Sequence, residues 1–474
     1  MQAQMRGRDL VRLALALALL TLTACAPPMT GAAPRFIYNP AAPSPSPARP
    51  QLALKAEDRV LILAPHPDDE VLAAGGVIQQ AIARKIPVQV VFLTSGDNNE
   101  FAYLYFRKVF TLDSRSARDA GVTRGFEAIR AGRELGLGGG DEIFLGYPDF
   151  GTLEIWLNRW GDREAYRSMF TEANAVPYWF AQNPDSPYKG EAILADITEA
   201  LREFKPTKVL VSHPADVNPD HAALYLFLRT ALWEIGGPVE PEIHAYLTHY
   251  GDWPQPRGHL YDAPHEPPAK FDETGRWLIF PLTHEQVAQK EAALRRHKTQ
   301  YEASRPYLES FMRRNELFDT PPDIVLERGA PDMEILPGGT GVAPGQALAG
   351  AWLDQITRQV RLEGNDLILT LRTAQPTANG LQAQTYLLGY RRDRPFAEMP
   401  KLYLEVNGAT RKLSDRRQRL SSDRVSVNTT PATSEMRIPV ALLGDPARVF
   451  LSTQIQAGGT ATASPWVVIH LPAP

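Results

Sequence analysis

Between residues 58 and about 318, short wholly apolar runs alternate with stretches of helical period. Val60-Leu61-Ile62-Leu63 has no polar position, the pattern of a strand buried on both faces. Val71 to Lys85 reads as a helix and Val88 to Leu93 as a second strand; Ser114 to Leu135 follows as a long amphipathic helix, then Glu142 to Tyr147 as a strand. Glu191 to Phe204, Val209 to Val211 and His221 to Glu234 continue as helix, strand and helix. This alternation predicts an α/β domain over 56–320, with a Rossmann-like, mostly parallel sheet and helices on both faces. Residues 321–346 are rich in Pro and Gly and read as a linker. Beyond them, runs such as Leu367 to Leu371, Leu402 to Val406, Met436 to Val440 and Val449 to Thr453 predict an all-β sandwich over 347–474.

Two aromatic-rich stretches interrupt the alternation. One carries Phe101, Tyr103, Tyr105, Phe106 and Phe110; the other, residues 150–188, carries Trp156, Trp160 and Trp179. Such insertions either wall a binding site or cover the core, and pattern alone leaves both readings open. The run Tyr250-Gly251-Asp252-Trp253-Pro254 offers further rings for stacking on sugars; His244, His249, His259 and His265 around it read as exposed loop histidines.

Composition narrows the chemistry. The 50 basic and 54 acidic side chains leave a net charge of −4, which argues against nucleic acid as a partner. The single Cys excludes an internal disulfide and any zinc site with two thiolates from one chain, so a metal here takes His and carboxylates. That Cys is Cys25. It ends the run Leu22-Thr23-Ala24-Cys25, after a basic Arg6, Arg8, Arg12 segment and an apolar stretch to Leu22. Residues 1–25 therefore read as a lipoprotein signal peptide, with membrane attachment through lipid on Cys25. Eight prolines between 26 and 50 make residues 26–55 an extended tether, and the expectation is an exported, envelope-anchored protein. Toward the other end, Arg411, Lys412, Arg416, Arg417, Arg419 and Arg424 concentrate in one stretch, read as a solvated loop or an anionic-glycan contact.

The strongest chemical signal is Pro65-His66-Pro67-Asp68-Asp69-Glu70, between the first buried strand and a helix. Ligands gather beyond the carboxyl ends of parallel strands, and this loop presents a His and adjacent carboxylates there. Neighbouring Asp68 and Asp69 must point in different directions, so one can hold a cation while the other handles protons. The alternative is that the acids only cap the helix N-terminus. A second loop, His213-Pro214-Ala215-Asp216-Val217-Asn218-Pro219-Asp220-His221, brings His and Asp to the same edge from another strand. Two His and one carboxylate with open positions suit catalytic Zn2+, and also Fe2+.

With these two loops the chain resembles the PIG-L/LmbE-like zinc-dependent de-N-acetylases, which act on N-acetylglucosamine conjugates. The resemblance runs from about residue 58 to about 302. It takes in Arg124-Gly125-Phe126-Glu127-Ala128, Leu145-Gly146-Tyr147-Pro148-Asp149, Tyr188-Lys189-Gly190-Glu191 and a closing helix from Lys290 to Gln300. It implies that His66, Asp69 and His221 bind Zn2+ (Fe2+ or Co2+ being possible substitutes), that Asp68 is the general base, and that Arg124 and Asp149 contact substrate. Asn218 departs from the family, many of whose members have His at that place to steady the oxyanion or donate a proton. An amide donates a hydrogen bond but transfers no proton. The expected function is de-N-acetylation of an exopolysaccharide or other envelope glycan. Asp68 and Asn218 are the expected catalytic residues, Asp68 taking the water's proton and returning it to the leaving amine and Asn218 hydrogen-bonding the oxyanion; the sandwich is an accessory module. The rival from another class is a non-catalytic surface glycan-binding lipoprotein with a degenerate site, for which Asn218 speaks. A metal-dependent phosphoesterase would want more carboxylates or a second metal.

Overall fold

The computed structural model describes residues 49–98, 113–237, 239–272, 276–335, 356–373, 382–408, 410–457 and 460–472. The signal peptide with Cys25, residues 26–48 of the tether, the aromatic cluster from Phe101 to Phe110 and residues 336–346 lie outside them. All described residues belong to one unit from Arg49 onward.

Five parallel strands form the first sheet: β1 (Val60–Ala64), β2 (Val88–Thr94), β3 (Glu142–Tyr147), β4 (Lys208–Ser212) and β5 (Glu242–Tyr246), in the order β3-β2-β1-β4-β5. The helices joining them are α1 (Asp69–Ala83), α2 (Ser114–Leu135), α3 (Thr152–Asn158), α4 (Gly190–Phe204) and α5 (Pro219–Ile235). Strand β1 shows why its run has no polar position. Val60, Ile62 and Ala64 pack with α1 and α2, while Leu61 and Leu63 pack with α4 and α5 on the opposite face. The predicted closing helix is two: α6 (His284–Leu294) and α7 (Lys298–Leu308) meet at His297, whose backbone leaves helical geometry. A short antiparallel pair, β6 (Leu278–Pro281) and β7 (Asn315–Phe318), lies alongside.

The remaining strands form two largely antiparallel sheets. One runs β16-β17-β11-β10-β9, with β9 at Met333–Ile335, β10 at Thr357–Glu363, β11 at Asp366–Arg372, β16 at Ser426–Thr429 and β17 at Thr433–Pro439. The other contains β12 (Gln382–Tyr390), β13 (Lys401–Asn407), β14 (Thr410–Asp415), β15 (Gln418–Leu420), β18 (Arg448–Ala457), β19 (Thr460–Ala463), β20 (Val467–His470) and, at its edge, β8 (Ile324–Val325). Strands β8 and β9 fall within the stretch read as linker, so its first half is built into the sheets. The two sheets share one apolar core through residues such as Leu369, Leu387, Leu404, Met436 and Leu451.

The outer face of the second sheet is also buried. Leu388, Tyr390, Phe450 and Val468 alternate with the residues of that core and join the cluster around α3, α4 and α5 instead. Trp156 stacks on Phe396 at 4.9 Å and meets Phe450 edge-on at 5.5 Å; Trp160 meets Phe396 at 5.0 Å. Lys401 sits over both Phe396 and Trp160 and donates to the carbonyls of Phe396 and Met399. Of the two readings of the aromatic insertion, Trp156 and Trp160 take the covering role; Trp179 remains 73% exposed. Polar bridges cross the same seam. Asp323 accepts from Arg229 at 2.7 and 2.9 Å and pairs with His470 at 2.6 Å, and Arg417 of the basic stretch reaches Glu154 at 2.8 Å.

A shared core predicts shared unfolding. Trp156→Ala should destabilise the protein by about 3–5 kcal/mol, the loss typical of a buried Trp. Urea unfolding followed by circular dichroism and by tryptophan fluorescence should give one coincident transition, shifted as a whole. A separate β-sheet transition insensitive to Trp156→Ala would refute the coupling.

Candidate metal centre and active site

Every strand of the parallel sheet delivers a side chain to one edge. His66 follows β1, Asp97 follows β2, Asp149 follows β3, Asp216 and His221 follow β4, and Thr248 and His249 follow β5. The loops after β1 and β4 flank the point where strand order reverses, where a crevice opens in such sheets. The His66 loop is pinned by β2: Thr94 donates its backbone N–H and its hydroxyl to the Pro65 carbonyl, both at 3.0 Å. The second loop is shaped by its own cap. Asn218 Oδ1 accepts from the Asp220 N–H at 2.9 Å and Pro219 opens α5, so His221 is set in the helix's first turn.

His66 Nδ1 lies 3.3 Å from Asp69 Oδ2, His221 Nε2 lies 3.2 Å from the same oxygen, and the two nitrogens are 3.2 Å apart. The outer nitrogens settle the tautomers. His66 Nε2 faces Asp149 Oδ1 at 3.1 Å and Asp220 Oδ2 at 3.3 Å, and His221 Nδ1 faces Asp216 Oδ2 at 3.1 Å. Each imidazole gives its outer N–H to a carboxylate, and the two inner lone pairs aim at one point beside Asp69. Ligand atoms around a four-coordinate Zn2+, at bonds of about 2.0–2.2 Å, stand about 3.3–3.5 Å apart. The edges of this triangle match, and the donor set fits a divalent cation.

The electrostatics point the same way. Four buried carboxylates, Asp69, Asp149, Asp216 and Asp220, surround two imidazoles. Burial pulls the His221 pKa down, yet Asp216 and Asp69 raise it to about 9; His66 is likewise pushed well up, against burial, by Asp149 and its other carboxylate partners. Burial pushes Asp149 upward, but His66 and Arg124 hold it down at about 2. Such a pocket favours positive charge.

Asp68 points elsewhere, as adjacency requires. Its backbone has φ 128°, a conformation side chains seldom adopt. Glu70 Oε2 holds it by accepting the Asp68 N–H at 2.8 Å, and His297 Nε2 bonds the other Glu70 oxygen at 2.9 Å. Arg124 Nη2 lies 3.5 Å from Asp68 Oδ2. Burial raises the Asp68 carboxyl, Arg124 lowers it and Asp69 raises it again, to about 6.

The other expected residues have protein partners. Arg124 donates to the carbonyls of Pro67 at 2.7 Å and Gly96 at 3.0 Å, and Glu127, three residues on, accepts from Thr299. Asp149 uses one oxygen on His66 and the other on the Asn98 N–H. His213 turns away to Asp319, at 3.0 Å, and stacks on Trp277. The exposed-loop reading of the four histidines holds for His259 but not for His244 and His265, which are buried. His249 belongs to the site: its side chain is 35% exposed, its Nδ1 lies 3.3 Å from Asp216 Oδ1, and its ring meets His221 edge-on at 4.6 Å. Asp216 and Asp220 stand in the quoted loop, but their spacing does not reveal which imidazole each one serves.

Residues 61–232 match the family model described as PIG-L: GlcNAc-PI de-N-acetylase. Over 175 residues the chain is 33% identical to 1D-myo-inositol 2-acetamido-2-deoxy-alpha-D-glucopyranoside deacetylase 1 of Saccharopolyspora erythraea, covering 36% of this chain and 52% of that one. It is 28% identical over 178 residues to probable N-acetyl-alpha-D-glucosaminyl L-malate deacetylase 2 of Bacillus anthracis, covering 35% of this chain and 74% of the relative. The chain thus spans about half the length of the first relative. Among solved structures, N,N'-diacetylchitobiose deacetylase from Pyrococcus horikoshii aligns at 20% identity and TM-score 0.34, over 55% of this chain and 82% of that one. Residues 61–232 are thus similar to the PIG-L de-N-acetylase family, and the same part of the chain is similar to the two curated deacetylases.

Carboxylates behind ligating histidines govern affinity as well as orientation. Asp216→Asn and Asp220→Asn should each weaken Zn2+ binding by about 10- to 100-fold. Competition with a chelating dye, read on folded protein, checks this; unchanged affinity in both would remove these residues from the centre.

Proposed function

We propose that this protein is a metal-dependent hydrolase that removes N-acetyl groups from N-acetylglucosamine-type residues, with an exopolysaccharide or other envelope glycan as substrate. The convergence of the His66 and His221 lone pairs on one point beside Asp69, with Asp68 held apart, carries this reading. Zn2+ at that point would polarise the acetyl carbonyl and lower the pKa of a bound water from 15.7 toward about 7. Fe2+ and Co2+ suit the same donors.

The protein's own groups divide the remaining work. A carboxyl near 6 is matched to proton transfer around neutrality, and Asp68 takes the proton from the attacking water. Arg124 fixes the loop that carries Asp68 through the Pro67 carbonyl, which makes it a positioning residue. Asp149 and Asp220 orient His66, and Asp216 orients His221.

The proton for the leaving nitrogen has a better source than its return from Asp68. Asn218 commits its side-chain oxygen to the helix cap and has no acidic proton. His249 is a partly exposed imidazole at the edge of the same centre, backed by Asp216 as His221 is. Among the described residues its Nε2 makes no hydrogen bond, which leaves that atom to face a substrate. This division of labour replaces the expected Asp68–Asn218 pair and weighs against a degenerate binding site.

The substrate's location rests on sequence: the Leu22-Thr23-Ala24-Cys25 run and the proline-rich stretch after it support an envelope-anchored chain that meets exported glycans.

Acetate release from monomeric and polymeric N-acetylglucosamine substrates tests the reaction. Asp68→Ala should abolish turnover and keep stoichiometric metal; metal loss, or a near-native rate, rejects Asp68 as the base. His249→Ala should lower kcat by about 100-fold or more with metal retained. Asn218→Ala should instead cost about 1 kcal/mol of stability, as lost helix caps do. The reverse pattern, with kcat lost only in Asn218→Ala, would reject His249 as the acid and make the residue 218 amide an oxyanion donor beside Asp68.

A further inference from the structure

We propose that Phe150 is a stacking platform for a pyranose ring at the mouth of the metal centre, a subsite that rests on the hydrolase reading above. Its place is set by the centre itself. The preceding residue, Asp149, bonds His66 Nε2, and the Phe150 N–H donates to Asp220 Oδ2 at 2.5 Å. Thr152 gives its N–H and its hydroxyl to the other Asp220 oxygen. Phe150 is thus pinned between the two carboxylates that orient one metal-ligating imidazole.

Two features at this position bring no structural return. The backbone has φ 58°, the left-handed region that a bulky side chain seldom adopts and that glycine enters freely. The ring is 54% exposed, although Phe is among the residue types most often fully buried. A turn that only had to bring the N–H groups of 150 and 152 to Asp220 would be better served by glycine, and an apolar side chain placed for packing would be covered. Strain and exposure together, beside a catalytic centre, mark a side chain kept for a ligand. Ligand sites are lined by aromatic faces with a few placed polar groups, and the C–H face of a pyranose is the apolar surface such a ring takes. The subsite therefore selects saccharides over small acetamides.

Calorimetric titration of chitosan tetrasaccharide into the zinc-loaded full chain reads the platform apart from turnover, because that ligand has no acetyl group left to hydrolyse. Phe150→Ala and Phe150→Gly should weaken binding by about 5- to 20-fold, the scale of one lost ring contact. Phe150→Tyr should stay within about twofold, since the ring is retained. The melting temperature of Phe150→Gly should equal or exceed that of the native protein, because glycine relieves the left-handed strain. Native affinity in both truncations overturns the platform, as does failure of the native chain to bind the tetrasaccharide. A melting temperature clearly lowered in Phe150→Gly also overturns it, by making the ring a packing element. Absence of acetate release from every acetamide rejects the hydrolase reading instead, and leaves the titration to judge Phe150 alone.

Discussion

Two imidazole nitrogens held 3.2 Å apart, beside a carboxylate oxygen and deep in the protein, constrain everything around them. Both cannot carry protons at that distance without repulsion, so each ring must be turned by an acceptor behind it. Asp149 and Asp220 do this for His66 and Asp216 does it for His221. Those carboxylates in turn need donors, and find them in backbone N–H groups of the neighbouring loops: Asn98, Phe150, Thr152, Thr248 and His249. The loops after four strands are thereby shaped by the hydrogen-bonding demands of a single point.

Strain gathers where those demands meet the chain. Asp68 and Phe150 both have positive φ, and each adjoins a residue that bonds His66. Asp68 is held by Glu70, backed by the buried His297, while Arg124 clamps the carbonyl before it. Even the residue facing Arg124 is constrained: a Cβ at Gly96 would sit 2.1 Å from the guanidinium, in a backbone that is already left-handed. Positions so determined from several sides keep conformations they would not choose alone.

The β-rich region is part of this framework. Its second sheet is apolar on both faces, one closed by its partner sheet and the other by α3, α4 and α5. Trp156 lies on α3, which begins with Thr152, the residue that bonds Asp220. Packing of Phe396 and Phe450 on Trp156 therefore supports the helix whose first turn backs His66. The sheets brace the candidate metal centre mechanically, and among the described residues they supply none to it.

Local sequence was enough for the parts whose physics is local. A strand buried on both faces shows no polar position, so β1 and β4 were legible, and helix α2 ran from Ser114 to Leu135 as its periodicity predicts. The order strand, His-Pro-Asp-Asp-Glu, helix placed His66, Asp68 and Asp69 at a sheet edge, and the Asn-Pro-Asp-His cap placed His221 there too. What sequence could not determine is which groups, 70 to 154 residues apart, end in contact. Periodicity tells that a face is apolar but not what covers it, so Trp156 and Trp160 read equally well as site walls and as core. A loop histidine shows no sign of what it faces, so His249 passed for solvent-exposed until β5 carried it to Asp216. The strands at Ile324 and Met333 exist because neighbouring sheets offer them edges; two and three residues long and set among prolines, they are too short to show an alternating pattern. Contacts of that kind are decided by tertiary packing, since the free energy that selects them belongs to the pair and to neither segment alone.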